Sequence, residues 1–167
     1  MKYLLLLTSI LWVSSTFCQE KLEDILPLKN NIVTYSGIID VENTSKDELF
    51  KRAKRWFVLA SKSAKDVIQM DDKENGELIG KATFKVEYFY LNPYILHTIT
   101  ILVKDSKFKY QITDFSYSDN QNTKFSIEHF PKMWAGKKKL YTRINEAVEG
   151  EIASIKKQMT SSESSEW

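Results

Sequence analysis

The stretch ELIGKATFKVEYFYLNPYILHTITILVKDSKFKYQIT, residues 77–113, decides the fold of this chain. Apolar and polar residues alternate along it, and this period of two is typical of half-buried β-strands. The connections at Asn92-Pro93 and Asp105-Ser106 are short, so neighbouring strands must run antiparallel. The predicted inward positions are Leu78, Gly80, Ala82, Phe84, Val86 and Tyr88, then Ile95, His97, Ile99, Ile101 and Val103, then Phe108, Tyr110 and Ile112.

Two helices and two further strands surround this stretch. Residues 30–41 alternate as a first strand, and a short strand over 64–70 enters the hairpin through the Asn75-Gly76 turn. A capping box formed by Ser45 and Glu48 begins the first helix. Its apolar stripe consists of Leu49, Phe50, Ala53, Trp56, Phe57 and Ala60. Residues 116–124 are predicted to form a polar surface loop, while 125–134 fits no period.

The second helix follows Gly136. It carries an apolar stripe of about five turns, made of Leu140, Ile144, Ala147, Val148, Ile152, Ile155 and Met159. Gly150 lies within this stripe and weakens the helix by about 1 kcal/mol relative to Ala. The element order is β-α-β-β-β-β-α. It predicts an α+β domain in which a curved antiparallel sheet carries both helices on one face, leaving the other face open.

The N-terminus predicts export. Lys2 precedes an apolar run over residues 3–13, too short to span a bilayer, and a cleavage zone at Cys18-Gln19 follows. Residues 1–18 are therefore predicted to be a signal peptide, residues 19–159 a single domain, and residues 160–167 a disordered tail. Cleavage after Cys18 fits its small side chain. The alternative, a lipoprotein anchored through Cys18, is disfavoured by the bulky Phe17 before it.

Composition excludes several function classes. Removing the first 18 of the 167 residues leaves 149, enough for one domain without disulfides, and it removes the single cysteine. The formal net charge of the whole chain is only +2. Nucleic-acid binding usually requires a strongly basic face, so no nucleic-acid partner is expected. No later segment predicts a transmembrane span, and the mature protein is placed in the periplasm or at the cell surface.

Catalytic and metal-binding motifs are absent from the sequence. His97 falls on a predicted apolar face, where a histidine is typically a core residue. His129 follows Glu128, but adjacent side chains on an extended chain point in opposite directions. The acidic run at residues 71–74 lacks the spacing of a calcium-binding loop. The sequence therefore predicts a non-catalytic protein without a metal or cofactor.

Two surfaces are candidates for ligand binding. The first is the outward face of the sheet, a platform of Thr and Lys in which Lys81, Lys85 and Lys109 suit an anionic glycan or lipid headgroup. Equally, these lysines could simply keep a solvated sheet from aggregating. The second is a set of aromatic residues outside the period, which could instead close one end of the core. This set comprises Phe89, Tyr90, Tyr94, Phe125, Phe130 and Trp134, with His129 among them.

The segments LPLKNNIVTYSGIIDVENTSKDELFKRAKRWF, SAKDVIQMDDKENGELIGKATF and ILVKDSKFKYQITDF resemble a family of exported Bacteroidetes proteins, a domain of unknown function with a TBP-like fold. The resemblance covers roughly residues 26–115 and, more loosely, the C-terminal helix. It implies a fold and a compartment but no reaction, because fold alone does not carry function. The sequence thus predicts an exported binding module, with a structural or protein-interaction role in the envelope, or an enzyme, as alternatives. It does not identify the ligand, partner, biological process or oligomeric state.

Overall fold

The computed structural model describes residues 22–60, 67–88, 92–119, 124–130 and 136–161. The predicted signal peptide, most of the predicted tail and Phe89, Tyr90 and Trp134 lie outside these ranges. No helix within them is long and apolar enough to cross a membrane.

A six-stranded antiparallel sheet forms the body of the protein. Its strands are β3 (Tyr35–Asp40), β4 (Ile68–Asp72), β5 (Glu77–Lys85), β6 (Tyr94–Lys104), β7 (Lys107–Ser118) and β8 (Lys124–Ser126). They are ordered β3-β7-β6-β5-β4, with β8 pairing on β7 beyond the end of β3. Strands β1 (Leu28–Lys29) and β2 (Ile32–Val33) form a separate small hairpin. The antiparallel α+β fold predicted from the sequence is confirmed.

The apolar faces of the long strands form the core. The predicted inward residues Ile95, Ile99, Ile101 and Ile112 are fully buried, and His97 is buried beside them. We call this side the inner face and the opposite side the outer face. Because strand residues alternate between the two, roughly half of each long strand is left on the outer face.

Helix α1 (Lys46–Ala60) packs on the inner face through its predicted apolar stripe. Ser45 accepts a hydrogen bond from the Glu48 amide at 3.3 Å, as the capping box predicts. The Phe57 ring lies directly on β5 at Gly80, where an added Cβ would come within 2.4 Å of the ring. A glycine at this position therefore permits the close approach of helix and sheet.

Helix α2 (Lys137–Thr160) covers the same face. Two side-chain hydrogen bonds tie it to the sheet: Tyr35 donates to Asn145 at 2.7 Å, and His97 pairs with Glu151 at 2.8 Å. Trp56 of α1 donates its indole N–H to Ser154 at 3.1 Å. Both helices thus lie on one side of the sheet, as predicted.

Three local predictions are wrong. The first strand starts later than predicted, because Asn30 and Asn31 take positive φ values (52° and 62°) and form the turn between β1 and β2, and Thr34 then separates β2 from β3. The predicted loop over 116–124 begins and ends in strand, since β7 continues to Ser118 and β8 starts at Lys124. Gly150 is exposed with nothing within 4 Å of an added Cβ, so it lies outside the buried stripe of α2.

A β-bulge interrupts the pairing of β6 with β7. Leu96 pairs with Ser116 and Thr98 with Thr113, so Asp114 and Phe115 together oppose His97. Asp114 has a φ of 59°, in the left-handed region that Asp tolerates better than most residues. Phe115 and Tyr117 consequently join the inner face, where both are buried.

Candidate functional site

The outer face of the sheet carries a concentration of lysines. Cross-strand pairing links Lys81 to Thr98, Lys85 to Tyr94, and Lys109 to Leu102. The three β6 partners are four residues apart, so they lie on one face and so do the lysines. In the described part of the sheet, the outer-face lysines are Lys81, Lys85, Lys104, Lys107, Lys109 and Lys124.

None of these six lysines forms an ion pair with another described residue. Among the described strand residues, the carboxylates on the same face are those of Asp40, Asp72, Glu77 and Asp114, and the exposed Glu87 continues this face just after β5. The ion pairs found in the described ranges instead involve the helices, as between Glu48 and Arg52 at 2.9 Å and between Lys54 and Asp71 at 2.5 Å. Unpaired ammonium groups on an open face are available to an anionic partner.

The outer face is less polar than the sequence predicts. Ile38 is 67% exposed, and Met70 and Tyr94 are also exposed there. Ile79, Leu96 and Leu102 are half-buried between the polar residues. The predicted Thr and Lys platform is therefore interrupted by aliphatic side chains. They occupy outward positions that the alternating pattern assigns to polar residues.

The cavity that brings together the largest number of predicted site residues lies along the part of β5 that follows its described pairing with β4. We call it the edge cleft; its volume is about 710 Å³. Lys81, Lys85 and Tyr94 all line it, and the Lys85 ammonium lies 5.8 Å from the centre of the Tyr94 ring. The remaining lining residues are Trp56, Phe57, Ala60, Val67, Ala82, Thr83 and Glu151.

A second concavity adjoins the edge cleft across the same strand. We call it the polar depression; it has a volume of about 260 Å³. Lys81 and Lys124 supply positive charge, while Thr83, Thr98 and Ser116 supply hydroxyls. Asp114, at the bulge, contributes a carboxylate. Lys81, Ala82 and Thr83 line both concavities, so the two form one elongated surface over β5.

One buried polar pair borders the edge cleft. His97 Nε2 lies 2.8 Å from Glu151 Oε2, and the imidazole is stacked at 5.4 Å against Phe115 and tilted at 5.2 Å against Phe84. Nδ1 of His97 has no hydrogen-bond partner among the described residues. Glu151 itself lines the cleft. His97 is thus a core residue, as predicted, but it also fixes a carboxylate at a surface cavity.

The predicted aromatic set divides between surface and core. Tyr94 is 43% exposed and belongs to the outer face, whereas Phe130 is only 6% exposed. Phe130 packs edge-on against Tyr117, Phe125 and Tyr141, with ring centroids 4.9 to 6.2 Å apart. This corrects the prediction that Phe130 lies on a binding surface: its ring closes one end of the core. Phe125 is half-buried in the same cluster.

His129 lines neither the edge cleft nor the polar depression, although its own cavity shares Asp114, Ser116 and Lys124 with the polar depression. It is exposed and lines a different cavity, of about 530 Å³, near the β1–β2 hairpin. Glu128, in the same cavity, accepts hydrogen bonds from the Val33 amide at 2.8 Å and from the Ser126 hydroxyl. Its carboxylate therefore holds local structure together. In the described ranges, no cluster of three or more His, Cys, Asp or Glu side chains could hold a metal ion.

Burial also raises the pKa values of several tyrosines in the core. Burial, reinforced by the negative charge of Asp119, raises the pKa of Tyr117 to about 12. Burial likewise raises the pKa of Tyr141 to about 12. Burial raises the pKa of Tyr35 above its ordinary value, with Glu149 adding to the effect. At neutral pH these groups are therefore uncharged hydroxyls, and they do not line the β5 surface.

Sequence reasoning missed Lys124 and Glu151 as site residues. Polarity alone places Lys124 in a loop, although Lys124-Phe125-Ser126-Ile127 alternates and could have indicated a short strand. Glu151 occupies a polar position on a helix, and nothing in its spacing distinguishes it from the other acidic residues of α2. Only the packing of α2 on β6 brings it to His97.

An antiparallel sheet with two helices on one face defines a TBP-like α+β domain, and two solved structures share it. One is a TBP-like protein from Parabacteroides distasonis ATCC 8503, which is 18% identical at a TM-score of 0.74 and aligns over 83% of this chain and 99% of its own. The other is a DUF4468 family protein from Bacteroides ovatus ATCC 8483, 12% identical at a TM-score of 0.67, aligned over 85% of this chain and 94% of its own.

Residues 35–118 match the family described as a domain of unknown function (DUF4468) with TBP-like fold. The chain belongs to this family, as its sequence resemblance predicted. The two solved structures are similar in fold alone at these identities. No curated protein matches the chain.

Proposed function

We propose that this chain is an exported, non-catalytic binding module of the cell envelope, and that it binds an anionic glycan along β5. The observation that carries this proposal is the elongated surface on which Lys81, Lys85 and Lys124 converge with Tyr94. An enclosed pocket suits a small molecule. A surface running from the edge cleft into the polar depression suits an extended chain of sugars.

The side chains of this surface match the chemistry of an acidic sugar polymer. Unpaired lysines bind carboxylate or sulfate groups by charge-assisted hydrogen bonds. The hydroxyls of Thr83, Thr98 and Ser116 can donate to and accept from sugar hydroxyls. The exposed ring of Tyr94 offers a flat apolar surface against which a sugar ring can stack.

Export is supported by the charged start, apolar run and cleavage zone of residues 1–18. Expression with this segment in a Gram-negative host should yield a periplasmic protein that begins at Gln19. Mass spectrometry of the purified chain measures this directly. A lipid adduct on Cys18 would instead establish the lipoprotein alternative, and retention of residues 1–18 on a cytoplasmic product would refute export.

The ligand class is tested by calorimetric titration with polygalacturonate, an acidic polymer, and with neutral dextran. Binding of polygalacturonate alone is expected. The variant K81Q/K85Q/K124Q should weaken it by about tenfold or more for each ammonium group that pairs with a carboxylate of the polymer. The control variant K29Q/K51Q/K157Q removes the same charge from exposed positions off the outer face and should bind as the wild type does.

Equal losses in both variants would show non-specific attraction and refute the site. Binding of neither polymer, together with stable capture of a purified envelope protein, would favour the alternative of a structural or interaction component. Substitution of Tyr94 by Ala separates stacking from charge, because it leaves all six lysines in place and should weaken polymer binding without changing its salt dependence.

One observation favours an enzyme as a second candidate function. Glu151 lines the edge cleft and is oriented by His97 at 2.8 Å, an arrangement that a general acid or base requires. The test is breakdown of polygalacturonate during prolonged incubation, followed by its reducing ends. Cleavage that E151Q abolishes without loss of polymer binding would replace the binding-module proposal with an enzymatic one.

A further inference from the structure

A separate groove lies at the opposite end of the outer face, beside the turn between β6 and β7. We call it the hairpin groove; its volume is about 370 Å³. Ile38, Lys109 and Leu102 follow one another across three strands in a single row. Lys107 and Lys104 form the next row towards the turn. Aliphatic and cationic side chains therefore alternate around one depression.

The aliphatic residues of this groove are unusually available to solvent. Ile38 is 67% exposed on a strand of the sheet, and Leu102 is half-buried beside it. Burying an isoleucine side chain typically contributes about 1.5–3 kcal/mol. Ile38 lies on β3, the edge strand of the sheet, and together with Leu102 it leaves an apolar surface that a partner can cover.

The charges around the groove select the kind of partner. Lys104, Lys107 and Lys109 form no ion pair with any described residue. The nearest acids on this face are Asp40, which pairs in register with Lys107, and Glu77, at the far end of the Ile38 row. A second copy docking by the same surface would place lysines against lysines, which is unfavourable. The partner must therefore be both apolar and anionic.

The shape of the groove distinguishes a lipid surface from a free amphiphile. A bound small molecule typically has 70–90% of its surface buried. A groove whose isoleucine, on the edge strand β3, is two-thirds exposed does not enclose an acyl chain. A bilayer surface needs no enclosure, because lysines reach anionic headgroups while their stems and the aliphatic side chains lie at the acyl boundary.

We propose that the hairpin groove docks this protein on an anionic lipid bilayer. This inference is independent of the glycan site, which uses Lys81, Lys85 and Lys124 at the other end of the face. Docking through the groove would hold the protein against a membrane while β5 remains a distinct site on the same sheet. The lipid recognised is any with a net negative headgroup, since the groove offers charge and no enclosed pocket.

The test is co-sedimentation of the processed protein with vesicles of phosphatidylcholine containing phosphatidylglycerol, compared with phosphatidylcholine alone. Mass spectrometry first verifies that the apolar N-terminal run is absent, because it would bind any vesicle. Binding is expected only with phosphatidylglycerol and should fall as salt rises. The variant K104Q/K107Q/K109Q should bind about a hundredfold more weakly, from roughly a tenfold or smaller loss per lysine near an anionic surface.

Two further variants keep the proposal falsifiable. Substitution I38S should weaken binding by about tenfold without unfolding the chain, because Ile38 is exposed. The control variant K29Q/K51Q/K157Q should lose less than tenfold in affinity for the phosphatidylglycerol vesicles. The same is expected of K81Q/K85Q/K124Q. Equal losses in all three lysine variants, unchanged binding by I38S, or equal binding to both vesicle types would each overturn the proposal. A dimer in solution that I38S disperses would assign the groove to self-association instead.

Discussion

The two faces of the sheet differ in whether their charged side chains have partners. On the inner face the buried His97 lies at hydrogen-bond distance from the partly buried Glu151 and beside a stacked phenylalanine. On the outer face six lysines project without an ion pair to any described residue, and Ile38 is exposed among them. The inner face is explained by folding alone. The outer-face lysines and Ile38 contribute little to the core, and both binding proposals are placed on this face.

The largest expected effect contrasts two isoleucines of the same sheet. Ile101 is fully buried on the inner face, whereas Ile38 lies exposed on the outer face. Substitution I101A should lower the free energy of unfolding by about 2–5 kcal/mol because it leaves a cavity. Substitution I38A should change it by about 0.5 kcal/mol or less. Urea unfolding of both variants measures the contrast, and similar losses would show that the outer face is covered.

Two glycines extend the comparison to the helices. Substitution G80A would place a Cβ against the Phe57 ring and should destabilise the protein by about 1–3 kcal/mol. Substitution G150A meets open space on α2 and should stabilise by up to about 1 kcal/mol. The midpoint temperature of thermal unfolding should therefore fall in G80A and rise in G150A. A neutral G80A would mean that α1 can shift away from the sheet without loss.

Removing Glu151, the hydrogen-bond acceptor of the inner-face pair, should lower the free energy of unfolding by as much as G80A does or by less. Substitution E151A leaves the buried His97 ring without a hydrogen-bond partner among the described residues, which should cost about 1–3 kcal/mol. The double variant H97F/E151A should recover part of this loss, because Phe replaces a buried polar ring by an apolar one. A double-mutant cycle with H97F measures the coupling. Strictly additive losses would contradict a stabilising pair.

At neutral pH the smallest expected effect is that of the Tyr141 hydroxyl, which changes stability only under alkaline conditions. Burial raises the pKa of Tyr141 to about 12, above its ordinary value of 10. The unfolded chain therefore releases this proton first, so stability is complete below pH 10 and falls as the pH rises towards 12. Its contribution to the slope is about 1.4 kcal/mol per pH unit. Substitution Y141F should flatten the decline of urea-unfolding stability above pH 10, and an unchanged slope would exclude Tyr141 as its source.

Much of the fold follows from periodicity. The stripe of α1 and the alternation of β6 predicted buried residues that the structure places in the core, because both patterns are set by burial on one side. The hairpin at Asn75-Gly76 followed from turn chemistry, and Gly76 has the expected positive φ of 71°. The order of strands did not follow, since no local pattern records that β3 pairs with β7.

The candidate site was less accessible to sequence reasoning. Placing Lys81, Lys85 and Lys109 on one face required only the alternation of the strands, and the structure agrees. That Lys109 lies apart from Lys81 and Lys85 follows only from the strand register, which places Lys109 in the same cross-strand row as Ile38. The prediction for Phe130 is wrong because a lone aromatic residue near a proline gives no sign of whether it faces solvent or the core. Its position depends on contacts with Tyr117 and Tyr141, distant in sequence.

The bulge at Asp114 has a consequence for how β7 tolerates change. Even-numbered residues of this strand, such as Phe108 and Ile112, are buried before it, and odd-numbered residues, such as Phe115 and Tyr117, are buried after it. A saturation scan of β7 should therefore show tolerance to polar substitution switching from odd to even positions at Asp114. Deleting that single residue would remove the bulge and leave Phe115 and Tyr117 inward, whereas regular pairing that retained Asp114 would turn both aromatic rings to solvent and the serines into the core.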